Sequence, residues 1–294
     1  MGQTGRDILH RHSTERRQQS MKRCNLLIFV AISLTHTLVL TCPAAQVEAT
    51  AAAEAAAKKA EADQKLDEQY QALVTALSPA EQAWERVLQD NLGGFYLPIH
   101  KRQKVAGQSN AWDFVKDDPQ LPRVLLIGDS VSRGYTQSAR QALAGKANVH
   151  RAPANCGPTS LGLKKIDVWL GEGKWDVIHF NFGIHDRNTP IAEYAQRLEQ
   201  LVERMKETGA KLTWASTTPI PDDAAKKQTA ASIVERNEAA AAIMAKHGVV
   251  TNDLFTTITP HLDKMQNPND VHFNAAGYEF LGQQVGVAIA KALN

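Results

Sequence analysis

Residues Arg123-Val124-Leu125-Leu126-Ile127-Gly128-Asp129-Ser130 decide the reading of the fold. The run Val124–Ile127 is short, wholly apolar, and bounded by Pro122 and Gly128. A strand covered on both faces of a parallel sheet has this pattern, whereas a half-exposed strand alternates. Comparable segments follow at Asn148–Arg151, Trp175–Phe182, Lys211–Ser216 and Val249–Leu254. Helical periodicities lie among them at Ser132–Leu143, Ala192–Thr208, Ala230–His247 and Ala275–Leu293. The alternation predicts a three-layer α/β/α sandwich over residues 123–294, with a parallel five-stranded sheet and right-handed crossovers. No internal repeat is present.

Toward the N-terminus the patterns weaken. Residues 70–122 read as a helical extension packing on the core. Leu73, Leu77, Trp84 and Leu88 recur at helical spacing, and Ser78-Pro79-Ala80-Glu81 carries a helix start. Gly93-Gly94 is expected to end the helical part, leaving Phe95–Pro122 irregular with the aromatics Phe95, Tyr96, Trp112 and Phe114. Residues 50–69 are Ala/Glu/Lys-rich and read as a spacer, either a solvated helix or a flexible link.

Residues 1–49 have the layout of a secretory signal peptide, with the start at Met1 or Met21. Arg11, Arg16, Arg17, Lys22 and Arg23 precede an apolar run from Leu26 to Leu40, and Ala44, Ala45 and Ala49 follow. The run is shorter than the ~20 residues that span a bilayer. The expectation is therefore a secreted or periplasmic protein with no stable membrane span after cleavage. The alternative is an uncleaved leader serving as an anchor.

The whole chain of 294 residues carries a formal charge of +2. Beyond Ala49, 27 Lys and Arg stand against 28 Asp and Glu, a net charge of −1. That balance gives no footing for nucleic acid. Cys156 is the one cysteine past position 49, so the domain relies on its core and not on disulfides. No cofactor motif is present, and His179, His185 and Asp186 match no metal-ligand spacing, so neither cofactor nor metal is expected.

Open parallel sheets place their sites beyond the carboxyl ends of the strands. Distinctive segments fall there: Gly128-Asp129-Ser130, Asn155-Cys156-Gly157-Pro158, Gly183-Ile184-His185-Asp186 and Asn269-Asp270-Val271-His272-Phe273. Ser130 would stand at a helix N-terminus, where backbone N–H groups favour negative charge; a plain N-cap explains a serine there equally well. His272 follows a carboxylate by two residues, as a base with an orienting partner would. Gly157 offers an unobstructed N–H.

In order and spacing these four segments resemble the G-D-S-L, or S-G-N-H, hydrolase superfamily, over roughly Arg123 to Asn294. The resemblance implies Ser130 as nucleophile, Gly157 as oxyanion donor and His272 as base. His185 stands where the family has an oxyanion-binding asparagine, and imidazole can still donate an N–H. The family's acid lies three residues before its histidine; that position is Asn269 here, and Asp270 is the available carboxylate. Asp129 and Asp186 are read as braces of their turns. The function implied is an exported serine esterase acting on small-molecule or glycan esters, O-acetyl groups on carbohydrate among them. A lipase, lysophospholipase or thioesterase of the same fold, or a non-catalytic binding module, are the alternatives. No G-x-S-x-G elbow is present, which argues against the other large esterase fold.

The remaining polar and aromatic residues have plainer readings. His179 reads as a satisfied buried histidine and Cys156 as packing. Arg133, Arg151 and Arg187 read as solvated rim residues, or as a grip on an anionic substrate. Trp169–Trp175 reads as a packed turn, or as a sugar-stacking surface.

Overall fold

A computed structural model describes residues 43–223 and 225–294. The predicted leader lies outside the described residues up to position 42. Five strands form one parallel sheet: β1 (Arg123–Ile127), β2 (Asn148–Arg151), β3 (Val177–Phe180), β4 (Lys211–Ala215) and β5 (Val250–Asn252). Their order is β2-β1-β3-β4-β5. Leu126 pairs with Arg151, Ile127 with Phe180, and Phe180 with Trp214. The order of connection reverses between β1 and β3, so the crevice for a ligand opens beyond their carboxyl ends.

Ten helices accompany the sheet among the described residues. They are α1 (Pro43–Thr75), α2 (Pro79–Asn91), α3 (Gly93–Val105), α4 (Ser130–Ala142), α5 (Thr159–Leu170), α6 (Ile191–Lys206), α7 (Ala230–His247), α8 (Leu254–Ile258), α9 (Leu262–Met265) and α10 (Ala275–Leu293). Adjacent residues of β1 serve opposite layers, as the apolar run requires. Val124 and Leu126 pack with Val131 and Tyr135 of α4 and with Leu281 and Val285 of α10. Leu125 and Ile127 pack with Trp169 of α5, Leu198 and Leu201 of α6 and Met244 of α7. No helix among the described residues is long and apolar enough to cross a membrane.

The short helices α8 and α9 are not expected from the sequence, and two larger elements differ from the expectation for a clear physical reason. Gly93-Gly94 does not end the helical extension. Gly93 turns the chain at φ +68°, and α3 restarts at once and runs to Val105 with Pro98 inside it. Tertiary contacts override the poor local propensity: His100 of α3 is buried against Glu85 of α2, and Tyr96 and Leu97 pack on Leu88, Leu92 and Trp112. Of the Phe95–Pro122 stretch expected to be irregular, only residues 106–122 lack helix. The second difference is α5, which carries no local start signal. Its first N–H, that of Thr159, is capped by the Asp186 carboxylate at 2.8 Å, from 27 residues away.

The extension docks on the core through α4 and the sheet edge. Arg140 donates to the carbonyls of Asn110 and Ala111, both at 3.2 Å. Asp117 meets His150 at 2.6 Å and Arg123 at 2.8 Å. Among its described side chains, α1 exposes those from Thr50 to Lys65 and buries Tyr70 and Val74, near its end.

Candidate active site

β1 delivers Ser130 to the crevice. Asp129 caps α4, its Oδ1 accepting the Val131 N–H at 2.9 Å, so Ser130 begins the helix. The turn is clamped from below by Arg151 of β2. Its Nη2 donates to the carbonyls of Gly128 at 3.0 Å and Asp129 at 2.9 Å, and its Nη1 donates to Ser132 Oγ at 2.6 Å. The rim reading of Arg151 is therefore corrected: it is 2% exposed, because the residue opposite Leu126 points into the layer beneath α4.

The loop before α10 brings the fourth segment over Ser130. The Asn267 N–H donates to the His272 carbonyl at 2.9 Å, and the Asn274 N–H to that of Met265 at 2.9 Å, closing a tight loop. His272 Nε2 lies 2.8 Å from Ser130 Oγ, and His272 Nδ1 lies 2.8 Å from Asp270 Oδ1. With Nδ1–H donating to the Asp270 carboxylate, Nε2 is free to accept from the hydroxyl. Asp270 is the carboxylate that reaches the ring. Asn269 turns the backbone in the left-handed region at φ +53°. Partial burial opposes ionisation of Asp270, but the hydrogen bond and charge of His272, with backbone N–H groups, hold its carboxyl below the ordinary value. Both side chains remain open to solvent, His272 at 37% and Asp270 at 44% exposure, so a substrate can reach them.

Two N–H groups are available for an oxyanion. Ser130 N–H, in the first turn of α4, and Gly157 N–H have no protein acceptor among the described residues. Gly157 is held at φ +61°, a conformation that a side chain would strain. Its neighbour Cys156 donates its N–H to the Gly128 carbonyl at 3.1 Å, tying this loop to the turn that carries Ser130. Burial pushes the Cys156 thiol up to about 12, so it remains a packed thiol.

The third segment forms a short 3₁₀ turn, Ile184–Asp186, at the end of β3. His185 is exposed on it, without a side-chain partner among the described residues. Asp186 is fully buried, with Oδ1 and Oδ2 each 2.8 Å from the Thr159 hydroxyl and N–H, so it locks the second and third loops together. His179 is buried as expected, yet only Nε2 has a partner, Asn252 at 3.2 Å; Nδ1 has none, and burial pushes the ring down to about 4. Trp169 is buried and stacked on Phe182, and Trp175 lies under Arg123, so this turn is packed.

Sequence reasoning missed three supports. These are Arg151, Asn181 and Arg236. Asn181 Nδ2 donates to the Ala215 carbonyl at 2.8 Å, joining the ends of β3 and β4. Arg236 Nε donates to the Asp186 carbonyl at 2.6 Å. Their one sequence signal is a polar residue inside an apolar pattern. Among the described residues, the cluster with metal-ligating geometry is Glu199, Glu203 and His247, toward the amino end of the sheet. Lys246 Nζ already sits 2.6 Å from Glu199 Oε1 there.

Residues 126–280 match the model of the GDSL-like lipase/acylhydrolase family. No curated protein with a similar sequence was found. Among solved structures, the chain is similar to the lipase/acylhydrolase from Enterococcus faecalis, with 22% identity and a TM-score of 0.52, over 58% of this chain and 96% of that one. It is also similar to an acetyl xylan esterase, with 13% identity and a TM-score of 0.51, over 57% of this chain and 99% of that one. At these identities the likeness concerns the fold.

Proposed function

The chain belongs to the GDSL-like lipase/acylhydrolase family and is an ester-hydrolysing serine hydrolase, and from that premise we propose that Ser130 is its nucleophile, His272 its base and Asp270 the orienting acid. The observation that carries this reading is the unbroken chain Ser130 Oγ–His272 Nε2 and His272 Nδ1–Asp270 Oδ1, 2.8 Å at each link. We further propose that the protein is exported and removes acyl groups, acetyl first among them, from carbohydrate. The leader-like residues 1–49 support export. The open, solvent-facing site and the fold shared with an acetyl xylan esterase support a bulky hydrophilic alcohol.

The chemistry follows from the geometry. His272 Nε2 takes the Ser130 proton while Oγ bonds to the ester carbonyl carbon. The carbonyl π electrons move to oxygen, where the N–H groups of Ser130 and Gly157 and the His185 ring receive the charge. The tetrahedral adduct collapses, the C–O bond to the alcohol breaks, and His272 returns its proton to the departing oxygen. Water then repeats the sequence on the acyl-enzyme: His272 takes a proton from it, hydroxide adds to the carbonyl, and Ser130 leaves carrying that proton.

The test is turnover of p-nitrophenyl esters of increasing acyl length, with Ser130→Ala as control and a fluorophosphonate to label the nucleophile. Labelling at Ser130 with preference for acetate supports the proposal. Preference for long chains overturns the acetyl reading, and turnover unchanged in Ser130→Ala overturns the nucleophile.

A further inference from the structure

One helical turn beyond Ser130, on the same face of α4, stands Arg133. Residues three apart on a helix are neighbours, about 5–6 Å apart at Cβ. The other arginines around the site are committed. Arg151 holds the nucleophile turn, Arg140 the extension, Arg187 the Ile184 carbonyl and Arg236 the Asp186 carbonyl. The Arg133 guanidinium is half-buried, makes no hydrogen bond or ion pair with any described residue, and has a buried Nε with no partner.

Its surroundings hold it in place nonetheless. The guanidinium carbon lies 5.6 Å from the centre of the Tyr96 ring on α3. Tyr96 meets Trp112 at 5.5 Å, which fixes it to the buried cluster of the extension. On the other side, α4 approaches α10 so closely at Gly134 that a Cβ there would come within 2.0 Å of the Tyr278 ring. Burial pushes the Tyr278 phenol above its ordinary value, and Arg133, Asp129 and Asp270 are all near enough for their charges to act on it. Phe95, edge-on to Tyr96 at 4.8 Å, is 71% exposed at this border.

A guanidinium fork without an anion, resting on an aromatic face, is built to receive a carboxylate in two parallel hydrogen bonds. The aromatic bed holds the cation without neutralising it. We propose that Arg133 is a specificity-determining residue that binds a carboxylate carried by the alcohol part of the ester, so that the preferred substrates are acyl esters of acidic sugars, uronic acids being the simplest class. This rests on the Ser130 reading of the site. The helical extension thereby becomes part of the substrate site: Tyr96 supports the guanidinium, and Phe95 offers its ring to the apolar face of the sugar.

The experiment compares kcat/KM for O-acetylated oligogalacturonides and O-acetylated xylo-oligosaccharides, with p-nitrophenyl acetate as a reference for the chemistry. The wild type is expected to favour the acidic substrate by about 10- to 100-fold, the range of a charge-assisted hydrogen-bonded pair. Arg133→Gln is expected to erase that ratio mainly through KM, and Arg133→Lys to restore part of it. Added salt lowers the ratio for the wild type. Equal use of both glycans by the wild type overturns the proposal while leaving the esterase reading intact. An unchanged ratio in Arg133→Gln also overturns it. Absence of any Ser130-dependent turnover of the reference ester overturns the esterase reading and this proposal together.

Discussion

Arg151 lies beneath the Asp129 peptide, its Nη2 2.9 Å from the carbonyl oxygen, and it forms no ion pair with a carboxylate among the described residues, although the nearby Asp129 charge favours its ionised form. Burial lowers the pKa of this guanidinium, which stays charged through the dipoles of Gly128, Asp129 and Ser132. The arrangement uses a buried cation to hold two backbone carbonyls next to Ser130. Removing it orphans neither carbonyl, since Gly128 also accepts from Cys156 and Asp129 from Arg133. Arg151→Met is therefore expected to cost only about 1–3 kcal/mol of stability. It should lower kcat on p-nitrophenyl acetate more than it raises KM, because the turn loses its fixed height. Arg151→Lys should not restore kcat, since one ammonium cannot replace the fork. Urea unfolding and steady-state kinetics check both, and a variant with wild-type kcat would remove Arg151 from the positioning of Ser130.

The choice between Asp270 and Asn269 is measurable. Asp270→Asn is expected to lower kcat by about 10²–10⁴-fold, and Ser130→Ala and His272→Ala by about 10³–10⁶-fold, with the double variant no worse than either single one. Asn269 occupies the left-handed region at φ +53°, so its role lies in the loop backbone. Asn269→Ala is expected to cost about 1–2 kcal/mol in stability, and Asn269→Gly to recover it. An Asp270→Asn variant with full activity would shift the orienting role elsewhere.

The fold was legible wherever burial alone shapes the sequence. β1, β3 and β4 are short, mainly apolar runs because both faces of the sheet are covered there, whereas the edge strands β2 (Asn148–Arg151) and β5 (Val250–Asn252) carry polar residues and left a weaker trace. α5 was not legible, because its start is capped by Asp186 from a distant loop. α3 was not legible either, because Gly93, Gly94 and Pro98 oppose a helix that its contacts with Glu85, Leu88, Leu92 and Trp112 stabilise. At the site, Ser130, His185, Asp270 and His272 stood out as polar residues in loops after strands or before a helix, and Gly157 as a glycine after a strand. Arg151 and Arg236 did not, because a buried arginine bonded to carbonyls leaves the same trace in sequence as an exposed one.

Oxyanion binding at Gly157 and His185 is expected to show in kcat rather than KM, since charge develops only at the transition state. Gly157→Ala forces a side chain into φ +61°, with Leu161 Cδ2 only 3.4 Å from the added carbon. The strain, about 1–2 kcal/mol, is expected to swing the N–H away and cost about 10²–10³-fold in kcat. His185→Ala is expected to lower kcat by about 10–100-fold, and His185→Asn to restore most of it by supplying a neutral N–H donor at the same place. A His185→Ala enzyme with unchanged kcat would leave the backbone N–H groups as the whole oxyanion site.

The extension that carries Tyr96 has its own pH dependence, set by Glu85. This carboxylate is fully buried and is met by Tyr70 Oη at 2.6 Å, His100 Nε2 at 2.8 Å and Lys104 Nζ at 2.5 Å. Burial alone would raise its pKa, but hydrogen bonds from His100, Lys104 and Tyr70 outweigh it and hold the group down to about 2, against an ordinary 4.5. Burial and the same carboxylate push Tyr70 well above its usual range. A depressed pKa in the folded state means that the unfolded chain binds the proton first. The stabilisation, at most about 3 kcal/mol, is therefore complete above roughly pH 4.5 and is lost as the pH falls through about 2. Glu85→Gln is expected to lower stability at neutral pH and to flatten the acid limb, so that the two stability curves converge toward pH 2. Urea unfolding at a series of pH values, followed by tryptophan fluorescence, checks this. Curves that run parallel from pH 7 to pH 2 would mean that Glu85 carries no charge-dependent part of the fold's stability.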